Sequence, residues 1–454
     1  MATEVQPSIE LDSANPFRRP SASTTREGTW HNATPTDTEI EQAPLPPTDT
    51  GKAAWLVLAA SSLIQAPVWG FSSAFGVLQE YYSRHPEKLD GDVGNVAVVG
   101  TTVTGIMYLI SPFTFALLTR WPRLRRWCGP IGLVFAAVGF LLSSFATQVW
   151  HLIVTQGVMS ALGCGLLFTP TTLYLDEWFV KRKGLAYGVM WAGKSMTGVV
   201  LPFAMEASLR HFGPAITLRA WSVITVLTSA PLVHFLRPRI PLPSTSTPRP
   251  ISTAFLHLRT FWMLQAGNIL QSLGYFLPYA YISSYTVQHL HLTPTNGTLV
   301  LALINTTSIP GGIVIGGLGD HFSVTTTILI STLGSALAVF LFWGLSEHIA
   351  LLVVFAITYG FFAGGFSSTW SGVLTEVKGQ APSVDTGFLF GLLAGGRGIG
   401  NVISGPLSVA LVTREGWLRD GRAWGVGGEY GGIILFTGTT AVLGGWGALG
   451  RLWR

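Results

Sequence analysis

The 454-residue chain is 48% hydrophobic and only 11% charged, with 53 glycines, 16 tryptophans and a formal charge of +5. Soluble domains carry roughly 25% charged residues, so this composition excludes an ordinary soluble domain and indicates a polytopic membrane protein. The small positive charge gives no sign of a nucleic-acid partner, because the basic residues gather at the ends of apolar segments, and Cys128 and Cys164 form neither a disulfide framework nor a metal-ligand spacing.

Residues 1–50 are rich in Ser, Thr, Pro and acids, without an apolar run. They read as a disordered cytoplasmic tail and not as a signal peptide. From residue 53 onward, runs of about 20 apolar residues recur, the length one helix needs to cross a bilayer. They cover 53–79, 93–118, 128–147, 149–173, 184–205, 219–236, 257–284, 297–318, 324–344, 349–373, 385–412 and 431–450. The runs are continuous and do not alternate, which excludes a barrel and predicts an all-α membrane protein of twelve spans.

The loop after span 2 holds Arg120, Arg123, Arg125 and Arg126; the loop after span 4 holds Lys181, Arg182 and Lys183; the segment after span 6 holds Arg237, Arg239 and Arg249. The alternate loops hold fewer cations, so the positive-inside rule places the first set and both termini in the cytoplasm. The Pro- and Ser-rich stretch within 237–256 reads as a cytoplasmic linker between a six-helix bundle at 51–236 and another at 257–454.

The two halves repeat each other. Span 5 reads "GVMWAGKSMTGVVLP" from Gly188, and span 11 reads "GLLAGGRGIGNVISGP" from Gly391. In each, a glycine, Gly193 or Gly396, immediately precedes a cation, Lys194 or Arg397, and a proline follows, Pro202 or Pro406. Each cation lies ten or more residues into its span, about 15 Å along the axis and close to the midplane. No acid shares that depth; Glu206 lies about 18 Å further along span 5. A cation at the bilayer centre costs about 2.5–3.5 kcal/mol on insertion scales, so the pair is a candidate anion site.

These features carry a family likeness. Six plus six spans, a cytoplasmic linker and the loop "GGLGDHF" with Gly316, Leu318 and Asp320 resemble the major facilitator superfamily, which implies two pseudo-symmetric six-helix bundles. Within it, "WFVKRKGLAYGVMWAGKSMTG", 178–198, is similar to the monocarboxylate-porter signature at the start of span 5. "TLRAW", 217–221, and "RGIGNVISGPLS", 397–408, resemble its fungal branch. Two features depart from the family pattern. The acidic Gly-Gly-Trp opening is reduced to "TGKAAW", and span 8 lacks the acid–arginine pair of animal lactate carriers.

The resemblance implies that spans 1, 7 and 10 line a central cavity. Gln65, Trp69, Asn268, Gln271, Tyr275, Tyr279, Trp370 and Ser371 then join Lys194 and Arg397 as candidate substrate contacts; Asn268, Gln271 and Tyr275 share one helix face. In that superfamily, loop acids after spans 2 and 8 steady the starts of spans 11 and 5. Asp320 is therefore expected beside Lys181, Arg182 and Lys183. In the other half the loop acid is missing, and Arg120 or Arg123 is expected to face Asp385 or Glu376.

The reading is a secondary active or facilitative transporter of a small organic acid or related metabolite, working by alternating access. An exporter of a hydrophobic secondary metabolite is the alternative, with a non-transporting nutrient sensor ranked below it. The expected partners are the lipid bilayer, an anionic small molecule and protons as coupling ion, with a monomer in the plasma membrane or a vacuolar or other internal membrane. No catalytic constellation, phosphate loop or metal cluster is visible, so no enzyme activity, cofactor or metal is expected.

Overall fold

An apolar run inside a bilayer offers the backbone no water, so a helix that pairs every N–H with a C=O of the same run is the structure that satisfies it. The computed structural model describes residues 45–91, 95–241, 250–413 and 429–448, and these are helical throughout the apolar runs, with no strand among the described residues. Residues 1–44 of the expected tail, the central part of the linker at 242–249 and its Arg249 lie outside the described residues.

Span 1 is Lys52–Arg84, span 2 Val96–Arg120, span 3 Pro122–Ser143 and span 4 Val149–Trp178. Spans 5 and 6 form one helical stretch, Lys183–Phe235, of 53 residues. At 1.5 Å per residue it measures about 80 Å, nearly twice a bilayer with its headgroups. It turns back at Gly213, whose φ of 76° suits glycine, and Pro214 restarts the helix. Span 7 covers 259–289, span 8 Pro294–His321, span 9 Val324–Trp343 and span 10 Ile349–Gln380. Span 11 is Thr386–Thr413 and span 12 begins with Gly431–Gly444.

Several helices outrun the expected apolar limits. Span 1 continues through the polar sequence to Arg84, and span 10 to Gln380, because a helix needs no apolar side chains once it leaves the hydrocarbon. Residues 45–50, read from the sequence as part of the tail, are placed against the protein, and Asp49 is buried.

Three spans break at a common level. Span 2 is interrupted at Ile110, just before Pro112; span 7 at Phe276, just before Pro278; and span 10 by a tight turn over Phe366–Thr369. Proline lacks the N–H that would continue the ladder. In span 7, the carbonyl of Tyr275 accepts from Tyr359 Oη at 2.9 Å, which steadies the backbone at the break. Broken helices at mid-membrane occur where backbone lines a cavity or is buried in protein.

The two halves meet along small residues. A Cβ built on Gly188 of span 5 would lie 2.6 Å from the Gly312 carbonyl oxygen of span 8; one on Gly398 of span 11 would lie 2.8 Å from the Gly105 carbonyl oxygen of span 2. Within each half the glycine before the cation marks another close crossing. Gly193 abuts the Ser62 backbone carbonyl of span 1, and Gly396 abuts the Gln265 side-chain amide of span 7.

The nature of the neighbour makes these crossings unequal. A methyl group at Gly193 meets backbone, which cannot swing aside, whereas one at Gly396 meets the end of a side chain. Gly193→Ala is therefore expected to cost about 1–3 kcal/mol of overpacking and to lower the Tm of the purified protein more than Gly396→Ala does. Thermal unfolding in one detergent checks this, and equal shifts would contradict it.

Candidate functional site

Lys194 stands eleven residues after Lys183, the first residue of span 5, and Arg397 eleven after Thr386, the first of span 11. Both are thus about 16 Å into their helices. Lys194 Nζ donates to Tyr275 Oη at 3.2 Å and lies 5.5 Å from the Tyr275 ring centroid and 5.6 Å from that of Tyr279. Arg397 is fully buried, donates from Nη1 to Gln271 Oε1 at 3.1 Å, and holds its Cζ 4.1 Å from the Tyr275 centroid. Tyr108, Phe366 and Trp370 complete its shell at 5.8, 5.7 and 5.9 Å. The helix breaks of spans 2, 7 and 10 therefore surround Arg397.

Neither cation forms an ion pair with a described residue. Ion pairs are found instead at span ends, as Arg84–Glu80, Arg125–Glu177 and Lys183–Asp176. Aromatic faces and neutral oxygens take the place of carboxylates at the centre, and such cation–aromatic contacts are worth about 2 kcal/mol when desolvated.

Beside Lys194 is a small cavity of about 20 Å³, room for about one water, and Arg397 is not part of its lining. Trp69, Ser72 and Ser73 of span 1, Thr104 and Tyr108 of span 2, Lys194 of span 5, Tyr275, Phe276 and Tyr279 of span 7, and Asn401 of span 11 bound it. Several buried polar atoms make no hydrogen bond to a described residue: Trp69 Nε1, Ser72 Oγ and Asn401 Oδ1 on the lining and, outside it, Arg397 Nε and Nη2. Buried polar groups are normally paired, so this cluster of free donors and acceptors is suited to a ligand carrying an anion and a hydrogen-bond donor.

The other sequence candidates fall in different places. Gln271 sits behind the cavity as the Arg397 partner. Gln65 does not reach the cavity, because its Nε2 binds the Ser61 carbonyl at 2.9 Å and Thr171 Oγ1 at 3.1 Å, joining span 1 to span 4. Asn268 Nδ2 donates to the Leu393 carbonyl at 2.7 Å, and its Oδ1 accepts from Trp370 Nε1 at 3.3 Å. Asn268 and Trp370 thus tie spans 7, 10 and 11 together, and Ser371 bonds back to Ser368 within its own span. Sequence reasoning missed Ser72, Ser73, Thr104, Tyr108, Phe276 and Asn401. The available signal was spacing: Asn401 is one turn after Arg397, and Tyr108 one turn after Thr104.

The halves are matched in register. One constant interval separates Ser62 from Gln265, Gln65 from Asn268, Gly193 from Gly396 and Lys194 from Arg397. Ser62 Oγ donates to the Val189 carbonyl at 2.8 Å, and Gln265 Nε2 to the Leu392 carbonyl at 2.7 Å. Each acceptor lies four residues before its glycine, so both cations are fixed by the same crossing.

A second cluster occupies the face with the basic loops. Asp320 Oδ1 and Oδ2 accept from the Gly184 and Leu185 amides at 2.9 and 3.0 Å, capping the start of span 5. Lys183 pairs with Asp176, which also accepts from Thr386 Oγ1 of the other half. Lys181 and Arg182 offer their amides, together with that of Val180, to Asp49 at 2.9–3.1 Å.

Where Arg120 or Arg123 was expected to meet Asp385 or Glu376, the described contacts of Asp385, Arg120 and Glu376 are of another kind. Asp385 caps its own helix through the Phe388 amide at 2.9 Å and accepts from Thr119 Oγ1 at 3.2 Å. Arg120 turns onto the Trp121 ring at 5.2 Å, and Glu376 accepts from Gln380. With the acid carried by span 11 itself, a neutral hydroxyl from the loop is sufficient.

The family model for the Major Facilitator Superfamily matches residues 53–304 and 264–452. The chain is 26% identical over 412 residues to the MFS-type transporter pynF of Aspergillus niger, covering 88% of this chain and 90% of that one. It is 23% identical to the fujikurins efflux protein of Gibberella fujikuroi, covering 88% and 83%. The crystal structure of the human organic anion transporter MFSD10 superposes with a TM-score of 0.61 at 14% identity, covering 86% of this chain and 97% of that one.

Asp49 gives the basic face a pH signature. Burial raises its pKa, but amide donation from Arg182, Lys181 and Val180 outweighs this and holds the carboxyl below its ordinary value. A depressed folded-state value means that ionised Asp49 stabilises the anchor at neutral pH, and the contribution fades as pH falls from the ordinary Asp range, about 3.9, through the lower folded value. Asp49→Asn is expected to speed hydrogen exchange at the Lys181 and Arg182 amides at pH 7, with the difference from wild type shrinking in acid. Equal exchange at pH 7 would contradict the anchor.

Proposed function

The chain belongs to the Major Facilitator Superfamily, and on that premise we propose that it exports a small organic acid with an aromatic or apolar body. The observation that carries the reading is the pair of cations, one from each half, at equal depth, with Lys194 lining a cavity and neither paired with a carboxylate among the described residues. An anion entering that cavity meets Lys194 Nζ directly, while the Arg397 guanidinium, which is not part of the lining, adds its charge from behind the Tyr275 ring. The surrounding Trp69, Tyr108, Tyr275 and Tyr279 rings offer a flat apolar lining. Export is the direction that one relative's name supports: the Gibberella fujikuroi protein is named as an efflux protein.

In this reading the basic loops and both termini face the cytoplasm, and the chain is of the monocarboxylate-porter type, fungal branch. It acts as a monomer in the plasma membrane. The two halves rock about the Lys194–Arg397 level, and the capping contacts of Asp320 and Asp385 hold the cytoplasmic side shut in one state. Any coupling proton travels on the substrate, since no acid stands at the site among the described residues.

A second reading makes the cations structural and the cargo a neutral hydrophobic metabolite. The complete burial of Arg397 among aromatic rings favours it.

Comparing metabolites inside and outside cells with and without the protein separates the two readings. For the acidic cargo, Lys194→Gln and Arg397→Gln are each expected to raise the apparent KM about 10- to 150-fold or abolish export, the equivalent of about 1.5–3 kcal/mol per charge-assisted contact. Variants that reach the membrane and export acidic compounds as wild type does would overturn the acid reading in favour of the neutral one.

A further inference from the structure

The cavity contains an arrangement that binding alone does not require. Lys194 belongs to the first half of the fold, and Tyr275 and Arg397 to the second. Repulsion between two cations is far stronger in a protein interior than in water, so closing the halves on an empty cavity requires an electron-rich group between them. A bound anion would be one. Among the described residues no carboxylate stands there, and Tyr275 occupies the position.

Its hydroxyl oxygen accepts from Lys194 Nζ at 3.2 Å, while its ring receives the Arg397 guanidinium at 4.1 Å. The ring is held in place. Tyr359 Oη binds the Tyr275 carbonyl at 2.9 Å, and Tyr279 packs beside it with centroids 5.5 Å apart. Gln271, one turn earlier, fixes Arg397 from behind.

We propose that Tyr275 is a stand-in counter-ion, a positioning residue that lets the two halves close without substrate. Its consequence is the mode of transport. A carrier that closes empty can return empty and so sustain net export; one that cannot is confined to exchange. This consequence rests on the cavity being the transport site, whereas the closure itself does not and is tested without substrate.

The test uses the full chain in nanodiscs, free of substrate, with spin-label pairs across the halves. One pair sits at Ala207→Cys and Thr293→Cys, the other at Val180→Cys and Lys378→Cys on the basic face. All four positions are exposed. Tyr275→Leu removes both contacts and is expected to raise the long-distance population of one pair about tenfold, the equilibrium ratio of a single strong contact. Adding Lys194→Gln removes one of the repelling charges and is expected to restore the wild-type distances. Tyr275→Phe keeps the ring and loses the hydroxyl, so its open population should fall between wild type and Tyr275→Leu.

A Tyr275→Leu protein as closed as wild type would overturn the proposal. So would opening that Lys194→Gln fails to reverse, since that is the response of lost packing alone. If Tyr275→Leu does not fold, Tyr275→Phe with and without Lys194→Gln supplies the same comparison, and a Phe variant indistinguishable from wild type overturns the role of the hydroxyl. Distances that respond as expected in a protein that exports no acid would leave the closure role standing and remove the transport reading alone.

Discussion

A lysine and an arginine share one tyrosine ring at the centre of this fold, and no carboxylate stands beside either among the described residues. Burying a charge is tolerable when something electron-rich replaces its water. Here that work is divided among the Tyr275 hydroxyl and ring, the Gln271 amide oxygen and the rings of Tyr108, Tyr279 and Trp370. Much of the local architecture follows from the need to hold these groups in place. Spans 2, 7 and 10 break where they pass Arg397, and Tyr359 bonds the carbonyl at the span 7 break. Small residues let spans 5 and 11 come close enough to deliver their cations.

Duplication explains why the charges arrive in register. The same interval links Ser62 to Gln265, Gln65 to Asn268 and Lys194 to Arg397, and each half repeats the bond from a span 1 or span 7 side chain to the carbonyl preceding its glycine. The halves then diverge where their tasks differ. Span 7 carries Tyr275 where span 1 carries Ser72, so only one half offers a ring to the opposing cation. On the basic face the capping acid comes from the opposite half at span 5, as Asp320, and from the helix itself at span 11, as Asp385.

Charge made the centre of the site legible in the sequence. Lys194 and Arg397 stand out because a cation in an apolar run is costly and must be compensated, and the spacing of Gln271 and Tyr275 on one face of span 7 pointed at their partners. The rest of the lining was hidden because Ser72, Thr104, Tyr108 and Asn401 are polar residues of kinds that also hold helices together. Gln65 and Asn268 looked equivalent to them but have their amides committed to Thr171 and Leu393. Asp49 was hidden for the opposite reason. In a polar, proline-rich segment one more acid carries no signal, and only the fold shows the three amides gathered around it. Helix limits were legible to within a turn or two where apolar character ends with the helix, and less so at Arg84 and Gln380, where helix continues past the hydrocarbon.

Anomalous diffraction from crystals grown with 4-bromobenzoate most directly tests whether the paired cations form an anion site. Such a site places the carboxylate on Lys194 Nζ or the Arg397 guanidinium and the bromine against the rings of Trp69, Tyr108 or Tyr279. That bromine signal should disappear in the Lys194→Gln/Arg397→Gln double variant. Bromine found only on the lipid-facing surface, or at the same central position with both cations removed, would contradict it.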